Sequence, residues 1–165
     1  MVSELQGLYR QVIMEHYKSP RNKGLVGGDY HSVHLKNPSC GDDITIEVKF
    51  NGIIEDIRHD GVGCSICCSS ASIMTEVLEG KTPEEAGLLI NNFYEIVKGA
   101  DYNKDLDMGD AIVYEGVSNF PARIKCATIP WKALETAIEE KTADEKTGVR
   151  GRVRSRRGQS PTNNI

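Results

Sequence analysis

The sequence predicts an α+β domain in which helices pack on a small three-stranded antiparallel sheet. Apolar and other residues alternate strictly over 44–50, which is typical of a half-buried strand. The pair Asn51-Gly52 follows directly and predicts the tight turn of a β-hairpin. Elsewhere, apolar residues recur every three or four positions, as in amphipathic helices. One helix, three strands and then further helices are typical of the α+β class.

The first half of the chain supplies the first helix and the sheet. Apolar residues at helical spacing run from Leu5 to His16, and Pro20 follows them as a helix breaker. The strand over 44–50 is expected to pair with two others, over 31–36 and 53–59.

The second half is predicted to be mainly helical. A helix over 64–79 follows Gly61-Val62-Gly63. The segment 82–85, Thr-Pro-Glu-Glu, is a capping box with proline at the first helical position, and it opens the next helix. Residues 100–120 are mixed and polar, and we expect an ordered insertion with one short helix.

The last helix carries Trp131, and its start is predicted from Pro130. A proline ring clashes with the carbonyl four residues earlier, so proline belongs in the first turn of a helix. We therefore expect this helix to begin within 125–128, which would place Cys126 at its N-terminal edge.

Length and charge indicate one domain with a basic tail. The chain has 165 residues, of which 39% are hydrophobic and 27% charged, as in ordinary globular proteins. The net charge is −4, and removing the five arginines of 147–165 (+5, with no acid) leaves −9 on residues 1–146. Such an acidic body argues against a nucleic-acid-binding domain. We expect a domain over 1–141 and a disordered tail over 142–165.

The cysteines indicate metal or thiol chemistry. No apolar run is long enough to cross a membrane, and the N-terminus lacks the pattern of a signal peptide. We therefore expect a cytoplasmic protein with no membrane partner. In that reducing compartment, five cysteines are not expected to form a disulfide framework.

Four residues form the candidate metal site. Cys40 and Asp42 precede a predicted strand, Cys64 opens a helix after a glycine-rich loop, and Cys126 is placed at the start of the last helix. Three thiolates and one carboxylate suit tetrahedral zinc. Spacing alone leaves open the alternative that these are small buried cysteines.

The sequence around these cysteines resembles the SufU/IscU family of iron–sulfur assembly proteins, which is similar to the N-terminal part of NifU. The resemblance covers about 5–140. Its motifs are LYRQVIMEHY from Leu8, NPSCGD from Asn37, GVGCSI from Gly61, and PARIKCAT from Pro121 followed by WKAL.

Two departures point to the SufU branch. IscU-type scaffolds have a histidine where this chain has Lys125, and they lack a stretch corresponding to 100–120. The resemblance implies a zinc-dependent sulfurtransferase that accepts persulfide sulfur from a SufS-type cysteine desulfurase and passes it to downstream assembly proteins. The first alternative is a scaffold that carries an iron–sulfur cluster. The second is a zinc-stabilised allosteric activator of the desulfurase.

The resemblance also implies roles for single residues. Cys40 would accept the sulfur. From their charge rather than from the resemblance, Arg123 and Lys125 are expected to neutralise the anionic site, and an ordinary surface position is the alternative for Lys125. Cys67 lies on the apolar stripe of its predicted helix and is expected to fill the core. Cys68 is expected near the surface. The four histidines are interpreted as sheet, surface or core residues: His16, His31, His34 and His59.

Overall fold

A computed structural model describes residues 2–38 and 41–147. It confirms the predicted α+β class, with three strands and helices in the predicted order. The elements are α1 (Val2–Lys18), β1 (His31–Asn37), β2 (Asp42–Phe50), β3 (Ile54–Val62), α2 (Ser65–Leu78), α3 (Pro83–Lys98), a 3₁₀ helix (Gly109–Val117) and α4 (Pro121–Thr147).

The sheet has the order β1-β2-β3, and both pairs are antiparallel. Asn37 pairs with Asp42, and Val62 pairs with Asp43, so β2 begins where β1 and β3 end. One edge of the sheet therefore gathers three chain segments. The alternating apolar residues of β2 face the core, as predicted: Ile44, Ile46 and Val48 are buried.

The helices cover one another and the buried face of the sheet. α4 contacts β1, β2 and α2, while α1 lies against α2 and the 3₁₀ helix. Trp131 is fully buried and stacks on Phe93 of α3 with ring centroids 3.9 Å apart. Burial of such large rings is the main source of stability in a domain of this size.

The insertion over 100–120 is ordered and contains one short helix, as predicted. Asn92 of α3 exchanges two hydrogen bonds with the backbone of Asn103, at 2.9 and 2.8 Å. Tyr114 of the 3₁₀ helix is fully buried and is hydrogen-bonded to Ser69 of α2. The insertion is thus part of the core.

The predicted start of the last helix was wrong. α4 begins at Pro121, and Pro130 lies inside it. Pro121 occupies a first-turn position, where its missing N–H costs nothing, and the Phe120 carbonyl accepts hydrogen bonds from the amides of Arg123 and Ile124. An interior proline costs about 3 kcal/mol, and the buried side chains on both sides of Pro130, Ala127, Ile129, Ala133 and Leu134 among them, offset that cost.

The C-terminal end of α4 lies beyond the predicted domain boundary. The helix continues to Thr147, into the segment 142–165 that we expected to be a disordered tail. Residues 148–165, with the basic cluster, lie outside the described residues. In the described part of the chain, no helix combines the length and apolarity needed to span a bilayer.

Candidate metal centre

Three of the four predicted ligands lie together. The ligand atoms of Asp42, Cys64 and Cys126 all lie within 4.8 Å of one another. They come from the start of β2, the residue before α2 and the second turn of α4. Because these segments are far apart in sequence, the fold itself creates the cluster.

The two carboxylate oxygens of Asp42 have different surroundings. Its side chain is only 1% exposed, and its Oδ1 accepts a hydrogen bond from the Cys64 amide at 3.1 Å. Its Oδ2 is buried and has no hydrogen-bond partner among the described residues. A buried carboxylate oxygen without a partner is costly, and a cation would supply the missing partner.

The loop Gly61-Val62-Gly63 allows Cys64 to approach Asp42. A Cβ atom on Gly61 would lie 2.0 Å from the Asp43 carbonyl oxygen, so only glycine fits there. A Cβ atom on Gly63 would lie 2.7 Å from Asp42 Oδ1. The two glycines therefore permit the close contact between β2 and the start of α2.

Cys64 is the N-cap of α2, as the sequence predicted. Its backbone is extended, and its side chain makes no capping hydrogen bond. The positive end of the α2 dipole therefore lies at Cys64, with no acidic side chain in the first turn to offset it.

Cys126 is not at a helix N-terminus, contrary to the prediction. It lies five residues after the start of α4 and is 2% exposed, so the N-terminal dipole, which acts within the first turn, does not account for its chemistry. Ser70 of α2 fixes its position instead. The Ser70 hydroxyl donates to the Ala127 carbonyl at 2.6 Å and accepts from Trp131 Nε1 at 2.9 Å.

The role of Ser70 in this region was not predicted from the sequence. A signal was present, because Ser70 is a polar residue on the apolar stripe that includes Ile66, Ile73, Met74 and Val77. A polar residue on such a stripe has to find a buried hydrogen-bond partner.

Cys40, the fourth predicted ligand and predicted sulfur acceptor, lies outside the described residues. Pro38 and Gly41, described on either side of that gap, belong to the connection between β1 and β2, and the Gly41 amide donates to the Asn37 carbonyl at 2.9 Å. Arg123 and Lys125 are exposed residues at the start of α4. Their proposed roles remain predictions.

The donor set fits a four-coordinate metal. Zinc–thiolate bonds are about 2.3 Å and zinc–carboxylate bonds about 2.0–2.2 Å. Ligand atoms that all lie within 4.8 Å of one another therefore need only small side-chain movements to share one ion. The unpartnered oxygen of Asp42 provides the structural argument for a cation. Asp42, Cys64 and Cys126 would hold it, and a fourth position remains for one further ligand.

The other two cysteines of α2 differ in exposure. Cys67 is fully buried in the core, as predicted. Cys68 is half-buried, and its thiol donates to the Gly63 carbonyl at 3.7 Å. Burial raises the pKa of the Cys68 thiol above its usual value, so less of it is thiolate at neutral pH.

A second cluster of possible ligands surrounds His16. His16 is fully buried; its Nδ1 is 2.8 Å from Ser72 Oγ and its Nε2 is 3.0 Å from Asp110 Oδ2. Glu76 lies nearby and is paired with Arg21 at 3.2 Å. Hydrogen bonds and the arginine satisfy these groups, and the network joins α1 and α2 to the insertion.

Comparison with known proteins identifies the family. The family model described as "NifU-like N terminal domain" matches residues 8–127. Zinc-dependent sulfurtransferase SufU of Bacillus subtilis is 48% identical over 137 residues, covering 82% of this chain and 92% of that protein. Iron–sulfur cluster assembly scaffold protein IscU of Streptococcus pyogenes is 42% identical over 139 residues, covering 84% and 87%.

Solved structures agree with this assignment. A structure from Fervidobacterium islandicum, described as a candidate iron–sulfur cluster assembly scaffold protein for the SUF system, superposes with a TM-score of 0.73 at 32% identity. The match covers 78% of this chain and 94% of that one. The chain therefore belongs to the NifU-like N-terminal domain family, that of the iron–sulfur cluster assembly proteins SufU and IscU, and lies on its SufU branch.

Proposed function

We propose that this protein is a cytoplasmic, zinc-dependent sulfur carrier, which accepts persulfide sulfur from a SufS-type cysteine desulfurase and delivers it to iron–sulfur cluster assembly. The observation that supports it most is the cluster of Asp42, Cys64 and Cys126 around the unpartnered Asp42 oxygen. The zinc named for the Bacillus subtilis relative is the ion that this donor set suits.

The ligands have separate tasks in this proposal. Bound zinc would keep the cysteines of the site deprotonated at neutral pH. Asp42 orients the Cys64 backbone through its Oδ1 and keeps its Oδ2 for the metal. Cys126 is fixed by the packing of α4 on α2.

The sulfur transfer requires no added oxidant or reductant. The Cys40 thiolate attacks the outer sulfur of a persulfide on the desulfurase cysteine. A new S–S bond forms on Cys40 while the donor's S–S bond breaks, and the donor cysteine leaves as a thiolate with the electron pair. Arg123 and Lys125, both exposed near the start of α4, would offset the negative charge of the thiolates and the carboxylate.

Elemental analysis of protein purified aerobically and anaerobically tests the proposal. We expect about one zinc per chain and no visible absorbance from an iron–sulfur chromophore. Iron together with acid-labile sulfide, in place of zinc, would contradict the carrier and favour the scaffold. Desulfurase stimulation without any sulfur on the protein would favour the allosteric activator.

A further inference from the structure

A groove of about 500 Å³ lies beside the candidate metal centre, between α1, the 3₁₀ helix and the first residues of α2 and α4. Ile13, Val113 and Val117 line it with buried apolar side chains. Phe120 also lines the groove and is 57% exposed. An exposed aromatic side chain beside an apolar concavity is typical of a protein-binding site.

Two residues that line the groove lie near the candidate metal ligands in the chain. Ser65, a lining residue, directly follows Cys64. Arg123, another lining residue, precedes Cys126 by three positions in α4, so the two lie on the same side of that helix. A segment bound at Ser65 and Arg123 would therefore lie beside the elements that carry Cys64 and Cys126.

The charge of the groove is opposite to that of the domain. Its charged lining residues are Arg10 and Arg123, and no acidic side chain lines it. Residues 1–146 carry a net charge of −9 once the five tail arginines are removed from the total of −4, and without Arg10 and Arg123 the remainder carries −11. A positive, apolar groove on an acidic protein selects a partner that is apolar and negative at this contact.

We propose that this groove binds a short segment of the cysteine desulfurase that carries apolar side chains next to at least one carboxylate. This inference rests on the proposed function. The apolar side chains of the segment would cover Ile13, Val117 and Phe120, and the carboxylate would pair with Arg10. Binding there would bring the donor cysteine to the metal centre and prevent transfer from persulfides that lack the matching segment.

Charge reversal in the groove provides the first test. Arg10→Glu should weaken binding of the desulfurase roughly tenfold, because it replaces an attraction by a repulsion. Lys18→Glu is the matched control: it makes the same charge change on α1, at an exposed position that does not line the groove. Calorimetric titration of zinc-loaded protein with the desulfurase gives Kd, and zinc is measured on the same samples. Affinity of the wild type should also fall with added salt more steeply than that of Arg10→Glu.

Two changes of shape provide the second test. A Cβ atom on Gly116 would lie 3.7 Å from Tyr9 Cδ2, an ordinary contact, so Gly116→Leu should fold with its side chain in the groove. Phe120→Ala should remove the exposed aromatic ring. Both should weaken binding, while Leu88→Ala, at an exposed position on α3, should not. Circular dichroism confirms that each variant is folded.

The results separate this inference from the proposed function. Suppose that the wild type binds the desulfurase and accepts sulfur, and that the Arg10, Gly116 and Phe120 variants bind it with unchanged Kd. The groove would then not be the binding site, while the proposed carrier function would stand. Wild-type protein that neither binds the desulfurase nor accepts sulfur would overturn both. If the variants change self-association in sedimentation experiments but not Kd for the desulfurase, the groove is a contact between copies of this chain and the inference fails. The inference is supported if the variants bind the desulfurase more weakly but still stimulate it fully when they are added at saturating concentration.

Discussion

Asp42 uses its two carboxylate oxygens differently. Oδ1 accepts the Cys64 amide proton, and Oδ2 is buried without a partner among the described residues. An unpaired buried polar atom costs about 1–3 kcal/mol, and more when it is charged. This arrangement supports the proposed metal ligation by Asp42 rather than a role in the stability of the metal-free fold.

Gly63→Ala should weaken zinc binding more than it weakens the fold. The added Cβ atom would lie 2.7 Å from Asp42 Oδ1, and the carboxylate end of a side chain moves more readily than the backbone. We expect zinc affinity to fall at least about tenfold, as is typical when the support of a ligand is disturbed, with a stability loss of about 1 kcal/mol or less. Competition with a chromophoric chelator measures the affinity. Gly87→Ala, where a Cβ atom meets nothing within 4 Å, is the control; equal affinities in the two variants would contradict this prediction.

At the scale of elements, α2 and α4 place Cys64 and Cys126 relative to each other. Ser70 joins the two helices by accepting from Trp131 Nε1 and donating to the Ala127 carbonyl. Both hydrogen bonds are buried.

Ser70→Ala should lower the free energy of unfolding by about 2 kcal/mol, because it leaves the buried Trp131 N–H without an acceptor. Urea denaturation measures this loss. Thr136→Ala is the control, since the Thr136 hydroxyl donates only to the Lys132 carbonyl within the same helix, and it should change stability by less than about 0.5 kcal/mol. A Ser70 variant as stable as the control would exclude this hydrogen bond as the connection between α2 and α4.

His59 connects β3 to the segment after α1 and should make stability depend on pH. It is 3% exposed, and its Nε2 lies 2.8 Å from the Arg21 carbonyl oxygen. Burial lowers the pKa of His59. The folded-state pKa therefore lies below the unfolded value of about 6.5. The stability that neutral His59 contributes is complete above about pH 6.5 and is lost as pH falls through the folded-state pKa.

His59→Gln should reduce this acid sensitivity, because its amide can still donate to the Arg21 carbonyl but does not titrate. We expect the unfolding free energy of the wild type to fall faster below about pH 6.5 than that of the variant, by up to about 1.4 kcal/mol per pH unit. Denaturant titrations between pH 5 and 7 measure the difference. If the unfolding free energies of the two proteins depend on pH in the same way, His59 does not change its protonation state on unfolding.

The elements that were predicted correctly have local signals. The strand over 44–50, the hairpin at Asn51-Gly52 and the capping box of Thr82 and Glu85 are each indicated by adjacent residues, and the structure contains all three. The hairpin connection is the three residues 51–53, however, and β3 begins at Ile54 rather than at 53. The start of α4 was not predictable from Pro130 alone. The cost of an interior proline is offset by tertiary packing around Ala127 and Trp131, which no local pattern reveals.

At the scale of the whole molecule, one ion would connect segments that are far apart in the chain. The sequence motifs identified Asp42, Cys64 and Cys126, and the structure brings them together. The unpartnered Asp42 oxygen and the groove beside the centre arise only from tertiary packing, so no local sequence pattern indicates them.

Zinc should stabilise the whole fold. At free zinc about 100-fold above Kd, mass action contributes about 2.7 kcal/mol, which corresponds to a rise in Tm of about 5–10 °C for a chain of this size. Chelation should reverse the rise and speed amide exchange over 41–44 and 121–128, while exchange in α3 changes little. Differential scanning fluorimetry and hydrogen exchange measure the two effects. A Tm that does not respond to chelation would contradict a site shared by β2 and α4.

Sulfur acceptance by Cys40 tests the central claim most directly. Zinc-loaded wild type, Cys40→Ser and Cys68→Ser are incubated with the desulfurase and cysteine, and the mass of each protein, alanine release and zinc content are measured on the same samples. We expect the wild type and Cys68→Ser to gain one sulfur atom, because the Cys68 thiol is half-buried with a raised pKa. Cys40→Ser should gain none even where zinc is bound, since a serine hydroxyl is scarcely ionised at neutral pH. A zinc-bound Cys40→Ser protein that stimulates the desulfurase normally would contradict the carrier.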